Sequence, residues 1–284
     1  MSRGILILAN NTLEFNYAKI ACKSSEFARA NLNKFDEIAL LTDSKTYDDN
    51  KELIDSSFDR VIINKEKQKV NIRLFKDTSN NVIKDEWNNL GRSSVYELSP
   101  YDETLVIDCD YFVMSNVLDG VWGSQNDFMI NAKFVDLAGR QDERMIYVDE
   151  FTIPMYWATV FYFKKSEYAN TLFTLISHIK EHYKYYCLLY NCPSGMYRND
   201  FVFSIALHIL NGNVANKTPS LPMEYLNNSF DLDDIYEFRS YNEVVMMFAK
   251  KTNTTEFLLG KISNMDIHIM NKAAILRHLD EVNV

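Results

Sequence analysis

The first 63 residues alternate between short apolar runs and helical patterns, and this alternation restricts the fold more than any other feature. Mostly apolar runs at 4–9, 37–42 and 60–63 are typical of strands buried on both faces. Between the first two runs, residues 17–32 place apolar side chains at helical spacing, and a polar, helix-compatible stretch covers 43–57. This order predicts an α/β fold with a mainly parallel central sheet, right-handed crossovers and flanking helices.

A further apolar run, residues 105–107, leads directly into Asp108-Cys109-Asp110. Because side chains of a strand alternate between its faces, Asp108 and Asp110 are expected on one side at the carboxyl end of the strand. Two neighbouring carboxylates repel each other unless a cation or a proton lies between them. Mg²⁺ and Mn²⁺ prefer oxygen ligands and often share them with phosphates, so the pair predicts a metal site. The alternative is an acidic turn whose aspartates are solvated.

The rest of the chain continues the α/β pattern. Hydrophobic residues make up 47% of the sequence, which excludes a disordered chain and predicts a substantial core. We predict helices at 87–98, 166–186, 201–210 and 272–281, and strands at 127–132, 154–163, 243–250 and 266–270. Since no linker or repeat interrupts the sequence, we expect a single domain over 1–284. Residues 1–115 would form a nucleotide-binding half, and 116–284 a half for the acceptor and the donor sugar.

The sequence also predicts where the protein is located and the redox state of its cysteines. No run of eighteen apolar residues occurs and the N-terminus lacks a signal-peptide pattern, so we expect a soluble, cytoplasmic protein without a membrane span. The four cysteines form no CxxC pair, which is consistent with reduced thiols.

A net charge of −9 opposes general affinity for nucleic acid. One basic stretch differs from the rest of the chain and comprises Lys65, Lys67, Lys69, Arg73 and Lys76. If this stretch is extended, its first three lysines share a face. Such a face is either a solvated sheet edge or a basic lip that receives an anionic acceptor.

The first strand ends in Ala9-Asn10-Asn11, without a GxGxxG fingerprint or a P-loop. A nucleotide bound there would need a metal ion to neutralise most of its phosphate charge.

Four motifs carry a family resemblance. They are the DxD segment VIDCDYFV, Arg92 sixteen positions before Asp108, Asn199-Asp200 ahead of an apolar helix, and the H-x-x-x-K element from His268 to Lys272. With these motifs the chain resembles the GT-A glycosyltransferases, which have a Rossmann-like fold, and in particular their glycogenin-like, nucleotide-sugar-dependent branch. The chain also looks like glycosyltransferases encoded by tailed bacteriophages, some of which modify hydroxymethylated bases in DNA.

The resemblance implies a role for each motif. Asp108, Asp110 and His268 would bind Mn²⁺ or Mg²⁺, and Arg92 and Lys272 would meet the diphosphate of a nucleoside diphosphate sugar, which we expect to be a UDP-sugar. Asp200 would act with Arg92 in catalysis beside the transferred sugar. The donor nucleotide would be bound by Ala9, Asn10, Tyr17, Asp43, Arg92, Asp108 and Lys272. The acceptor is expected to be a hydroxyl group, either of modified DNA at the basic stretch or of a surface glycan, a protein or a small molecule.

Two other enzyme classes also fit parts of the sequence. A phosphatase of the haloacid dehalogenase type also ends a strand in DxD, with the first aspartate as nucleophile. Its usual motif places a small residue where this chain has Phe112, but Asp231 and Asp233 resemble its late acidic pair. A sugar nucleotidyltransferase has a similar sheet but usually carries a glycine-rich basic loop after the first strand, which is absent here.

Overall fold

The computed structural model describes residues 1–65, 71–78, 81–87, 91–140, 146–149, 153–193, 196–214, 217–250 and 256–281. The strands are β1 Arg3–Leu8, β2 Glu37–Thr42, β3 Arg60–Ile63, β4 Asn71–Asp77, β5 Asn81–Trp87, β6 Glu103–Asp108, β7 Tyr111–Phe112, β8 Phe128–Ile130, β9 Phe134–Asp136, β10 Val160–Lys164, β11 Leu226–Ser229, β12 Asp234–Ser240, β13 Glu243–Ala249, β14 Phe257–Ser263 and β15 Ile267–Ile269. The α-helices are α1 Tyr17–Asn31, α2 Ser44–Asp49, α3 Lys51–Ser57, α4 Val95–Leu98, α5 Glu167–Glu181, α6 Tyr183–Leu189, α7 Asn199–Leu210 and α8 Lys272–His278.

A six-stranded sheet in the order β3-β2-β1-β6-β10-β8 forms the centre of the fold. The first four strands are parallel, and β10 runs antiparallel to both of its neighbours. Five of the six strands therefore point the same way. The central residues of β1, Ile5 to Ile7, are fully buried, as their continuous apolar run predicts. The prediction of a mixed, mainly parallel central sheet flanked by helices is confirmed.

A second sheet, β7-β15-β11-β9, joins the middle of the chain to its C-terminal part. Strand β7 begins directly after Asp110 and pairs antiparallel with β15, which places His268 opposite Tyr111. The backbone N–H of Ile269 donates to the carbonyl oxygen of Asp110 over 2.9 Å. This pairing fixes the C-terminal strand beside the DxD turn.

Strands β4 and β5 form an antiparallel hairpin that the sequence reasoning missed. Its inner face carries the buried side chains of Phe75 and Asp85. The helix predicted from Trp87 was wrong at its start, because Trp87 ends β5; the next described residues form a 3₁₀ turn at Gly91–Ser94. The backbone of this strand forms hydrogen bonds with β4 in place of the hydrogen bonds that a helix would form within itself.

The strand predicted from 154 also begins later than expected, at Val160. The N–H of Tyr156 donates to Ser204 Oγ of α7, and that of Trp157 donates to the carbonyl of Asn131. Backbone groups of this aromatic segment thus bind a helix and a neighbouring loop before the chain enters the sheet. Within the described ranges, none of the helices has the length and apolar character needed to cross a bilayer.

Candidate active site

A cavity of about 450 Å³ lies at the carboxyl ends of β1, β2, β3 and β6. Ligands of parallel α/β sheets bind at this edge, where the strands end and their loops diverge. The cavity brings together nine residues that the sequence predicted as site residues, namely Ala9, Asn10, Tyr17, Arg92, Asp108, Asp110, Asp200, His268 and Lys272. Residues distant in the chain therefore converge on one site.

Asp108, Asp110 and His268 each offer one ligand atom, and these three atoms lie within 4.8 Å of one another. Asp110 Oδ2 is 3.2 Å from His268 Nε2 and also forms an ion pair with the Lys272 ammonium. Burial alone would raise the pKa of Asp110, but Lys272 and His268 outweigh it and hold this pKa below its ordinary value. The Asp110 carboxylate is consequently ionised at neutral pH.

Asp108 has a different electrostatic environment. Its carboxylate forms an ion pair with Arg92, whose side chain is only 13% exposed. Burial raises the pKa of Asp108 to about 6, and the nearby charge of Asp110 adds to this rise while Arg92 opposes it. The two aspartates thus titrate in different pH ranges although a single residue separates them.

The position of Lys272 follows from the cap of α8. The side-chain oxygen of Asn271 accepts the N–H of Ala274 over 2.9 Å, and its amide nitrogen donates to the carbonyl of Asp233 over 2.9 Å. A buried cap of this kind fixes the start of a helix. Lys272, the first residue of α8, is therefore held with its ammonium on Asp110.

Asp200 lies in the first turn of α7 but does not cap that helix, since the N-cap position is Arg198. Its Oδ1 accepts the backbone N–H of Ala158 over 3.0 Å, and its Oδ2 lies 3.0 Å from the guanidinium of Arg198. Arg198 also lines the cavity and was missed by the sequence reasoning. Its position directly before Asn199-Asp200 was the only available signal.

The other end of the cavity lies beyond β1, at the ends of β2 and β3. Thr42 and Asn64 line it there beside Ala9 and Asn10, and neither was predicted from the sequence. Their positions at the end of β2 and directly after β3 could have identified them. Asp43 is not among the lining residues of the described chain; its carboxylate accepts the N–H of Thr46 over 2.8 Å and caps α2.

An aromatic pair, Phe134 and Trp157, forms part of the cavity wall. The rings of Phe134 and Trp157 stack with centroids 4.7 Å apart at an interplanar angle of 25°. Trp157 belongs to the segment that connects the two acidic regions, since Thr159 accepts the N–H of Asp108 and Ala158 donates to Asp200.

The basic stretch is described only in part. Lys65 is exposed, whereas Lys67 and Lys69 lie outside the described residues. Arg73 lines the cavity, with its guanidinium 4.6 Å from the ring centroid of Phe75, and burial lowers the pKa of Arg73. Lys76 is half-buried. Arg73 therefore belongs to the cavity and not to an external lip.

The donor atoms of the triad suit a divalent cation. Carboxylate oxygens are ligands that Mn²⁺ and Mg²⁺ prefer, an imidazole nitrogen suits transition-metal ions, and the three atoms lie within 4.8 Å of one another. Arg92 and Lys272 contact the same two carboxylates and would lie next to a phosphate that shares the cation.

No known family description and no curated protein matches this sequence. Similar solved structures include the galactosyltransferase LgtC in complex with donor and acceptor sugar analogues, at 18% identity over 79% of this chain and 74% of that one, with a TM-score of 0.47. The glycosyltransferase GlyE of Streptococcus pneumoniae TIGR4 is 10% identical over 80% of this chain and 45% of its own, with a TM-score of 0.41. Mouse xyloside xylosyltransferase 1 is 10% identical over 76% and 84%, also with a TM-score of 0.41. All three scores lie below 0.5, so these similarities do not identify the chemistry of this chain.

Proposed function

We propose that this protein is a metal-dependent glycosyltransferase that moves a sugar from a nucleoside diphosphate sugar, a UDP-sugar in the first instance, to a hydroxyl acceptor. One observation carries the proposal. Two aspartates and a histidine converge at the carboxyl edge of a mainly parallel sheet, with Arg92 and Lys272 directly on the two carboxylates.

This arrangement suits a reaction whose leaving group is a diphosphate. Asp108, Asp110 and His268 would hold Mn²⁺ or Mg²⁺, which supplies Lewis-acid stabilisation of the diphosphate oxygens when bound. Arg92 and Lys272 would then exchange their carboxylate partners for phosphate oxygens. Both cations lie where negative charge grows as the glycosidic bond breaks, and both are positioned before the reaction begins.

Asp200 lines the same cavity as Arg92 and Lys272. Its carboxylate is held by Ala158 and Arg198, so its orientation is set by two contacts. A fixed carboxylate can stabilise an anomeric carbon with oxocarbenium character or accept the proton of the acceptor hydroxyl. Ala9, Asn10 and Tyr17 would contact the nucleoside, and Asp43 would support this pocket from the start of α2.

The acceptor is the least specified part of the proposal. A hydroxymethylated base in phage DNA would need cationic groups outside the cavity, but Arg73 lines its interior and Lys76 is half-buried. Lys65 is exposed and could meet a phosphate. A small molecule, a protein or a surface glycan satisfies the described site without such contacts.

The structure weakens the phosphatase alternative. The acidic pair that the phosphatase reading used comprises Asp231 and Asp233, and neither lines the cavity in the described part of the chain. Asp233 is buried in a salt bridge with Arg140, and Asp231 accepts the backbone N–H of Lys76. Both aspartates therefore have structural contacts away from Asp108 and Asp110.

The test is a survey of UDP-, GDP- and CMP-sugars for donor hydrolysis and transfer with Mn²⁺, with Mg²⁺ and with EDTA. We expect turnover of one donor class that EDTA abolishes. Asp110→Asn should abolish this turnover, whereas Asp49→Asn, which removes a carboxylate from an exposed ion pair, should retain it. Fluoride- or vanadate-sensitive hydrolysis of an aryl phosphate with no donor turnover would contradict the proposal and favour a phosphatase.

A further inference from the structure

Asn228 makes the second contact of the His268 imidazole. Its Oδ1 lies 2.7 Å from His268 Nδ1, on the opposite side of the ring from the Nε2 atom that faces Asp110. Asn228 is fully buried. The ring is therefore held between a carboxamide and a carboxylate.

The orientation of the carboxamide follows from its other neighbour. Asn228 Nδ2 donates to the sulfur of Met270 over 3.6 Å. The opposite orientation would place the carboxamide oxygen against the sulfur, which offers it no proton, and the NH₂ group against Nδ1. With the oxygen toward the ring, Nδ1 must carry the proton that it donates, so Nε2, which faces Asp110, is the ring nitrogen that would bind a cation.

The backbone holds Asn228 in this place. Strand β11 lies between β15 and β9 and is parallel to both, with Asn228 in register with His268 on one side and Asp136 on the other. Its carbonyl also accepts the N–H of Leu137 over 3.0 Å. A side chain on a strand paired at both edges has little freedom to move away from the ring.

We infer that Asn228 is a positioning residue that fixes the tautomer and the ring orientation of His268, so that Nε2 presents its lone pair to a divalent cation shared with Asp108 and Asp110. The inference rests on the metal site of the proposed function. Outer groups that orient a ligating histidine typically change metal affinity by about 10- to 100-fold when they are removed.

The experiment combines two measurements on Asn228→Leu, which keeps the approximate volume but lacks the acceptor. Isothermal titration calorimetry with Mn²⁺ should show a Kd about 10- to 100-fold higher than that of the wild type. Two-dimensional ¹⁵N–¹H spectra of the metal-free, histidine-labelled protein at pH 8 should show His268 protonated at Nδ1 in the wild type. The variant should shift toward the Nε2-protonated form. The chain has five histidines, so the His268 signal is assigned by its loss in His268→Gln.

Two further variants separate positioning from a general structural role. Asn227→Ala removes the neighbouring carboxamide, which donates to the carbonyl of Asp266 and does not touch the ring, and should leave the His268 tautomer unchanged. Asn228→Asp keeps an acceptor for the Nδ1 proton and should retain Mn²⁺ binding, which also tests the inference if Asn228→Leu does not fold.

The outcomes distinguish this inference from the proposed function. Wild-type Mn²⁺ binding with an equal Kd in Asn228→Leu, or a wild-type His268 protonated only at Nε2, would overturn the positioning role and leave the glycosyltransferase proposal standing. A wild-type protein that binds no Mn²⁺, with or without UDP, would overturn both.

Discussion

In the metal-free protein, Asp110 and Lys272 form a buried ion pair whose loss we expect to destabilise the fold. Their side chains are only 8% and 7% exposed. Asp110→Asn keeps the shape of the side chain but leaves the buried Lys272 ammonium without its anionic partner. Breaking a buried pair by removing one partner typically costs about 3 to 5 kcal/mol of unfolding free energy.

Urea unfolding in EDTA at pH 7.5, followed by fluorescence, measures this cost. With an m-value of about 3 kcal/mol per M, the midpoint of Asp110→Asn should lie about 1 M or more below that of the wild type. Replacing both partners by uncharged residues removes the uncompensated charge, so Asp110→Asn with Lys272→Met should recover much of the loss. Asp49→Asn is the matched control, because its ion pair with Lys45 is exposed, and its midpoint should not change measurably.

The same variant should show a specific pH dependence. Because the folded-state pKa of Asp110 is held below its ordinary value, its ionised form contributes stability above the unfolded-state pKa of about 3.9. That contribution is lost as the pH falls through the folded-state pKa. The stability difference between wild type and Asp110→Asn should therefore be full at pH 6 to 8 and shrink below about pH 4. A wild-type midpoint for Asp110→Asn, or strictly additive losses in the double variant, would refute the ion-pair reasoning.

Three further predictions concern metal binding and packing. Because the pKa of Asp108 is about 6, a proton competes with the cation for this carboxylate below that pH. The Mn²⁺ affinity measured by calorimetry should therefore fall by up to about tenfold per pH unit below pH 6 and level off above it. An affinity that does not change from pH 5 to 7 would contradict this prediction. Gly4→Ala should lower the unfolding free energy by about 1 to 3 kcal/mol in urea titrations, because the added Cβ would lie 2.1 Å from the Tyr101 ring. In a Tyr101→Ala background the same substitution should cost less. An equal loss in that background would contradict the packing argument. Asp266→Leu should lower the unfolding free energy by about 2 kcal/mol or more, because the Met114 amide, which donates to Asp266 over 2.9 Å, loses its acceptor. Hydrogen exchange at the Met114 amide should become faster, and an unchanged exchange rate would contradict this prediction.

The sequence was most informative where the signal is local. The apolar runs of β1, β2 and β6 are continuous, and burial on both faces of a parallel strand requires such runs. The residues that follow these runs, including Asn10 and Asp108, could therefore be assigned to the ligand-binding edge before the strand order was known. Lys272 was placed in the site by resemblance, and its cap by Asn271 became visible only in the structure.

The sequence was least informative where contacts join distant segments. Arg73 had the spacing of a surface strand, but the hairpin of β4 and β5 directs it into the cavity. Trp87 had a helical context, yet the cross-strand pairing with β4 extends it. At both residues, hydrogen bonds to a partner strand override the secondary-structure preference of the local sequence. A short window of sequence does not reveal which strand that partner is.

By itself, the sequence determined that a parallel sheet would end in two adjacent carboxylates at its ligand-binding edge, because strand periodicity and burial are properties of neighbouring residues. Only the tertiary structure decided that β15 pairs with β7 and that β11 lies beside it, which brings His268 to Asp110 and Asn228 to His268. Register between strands far apart in the chain depends on the packing of the whole core, and local preferences do not specify it.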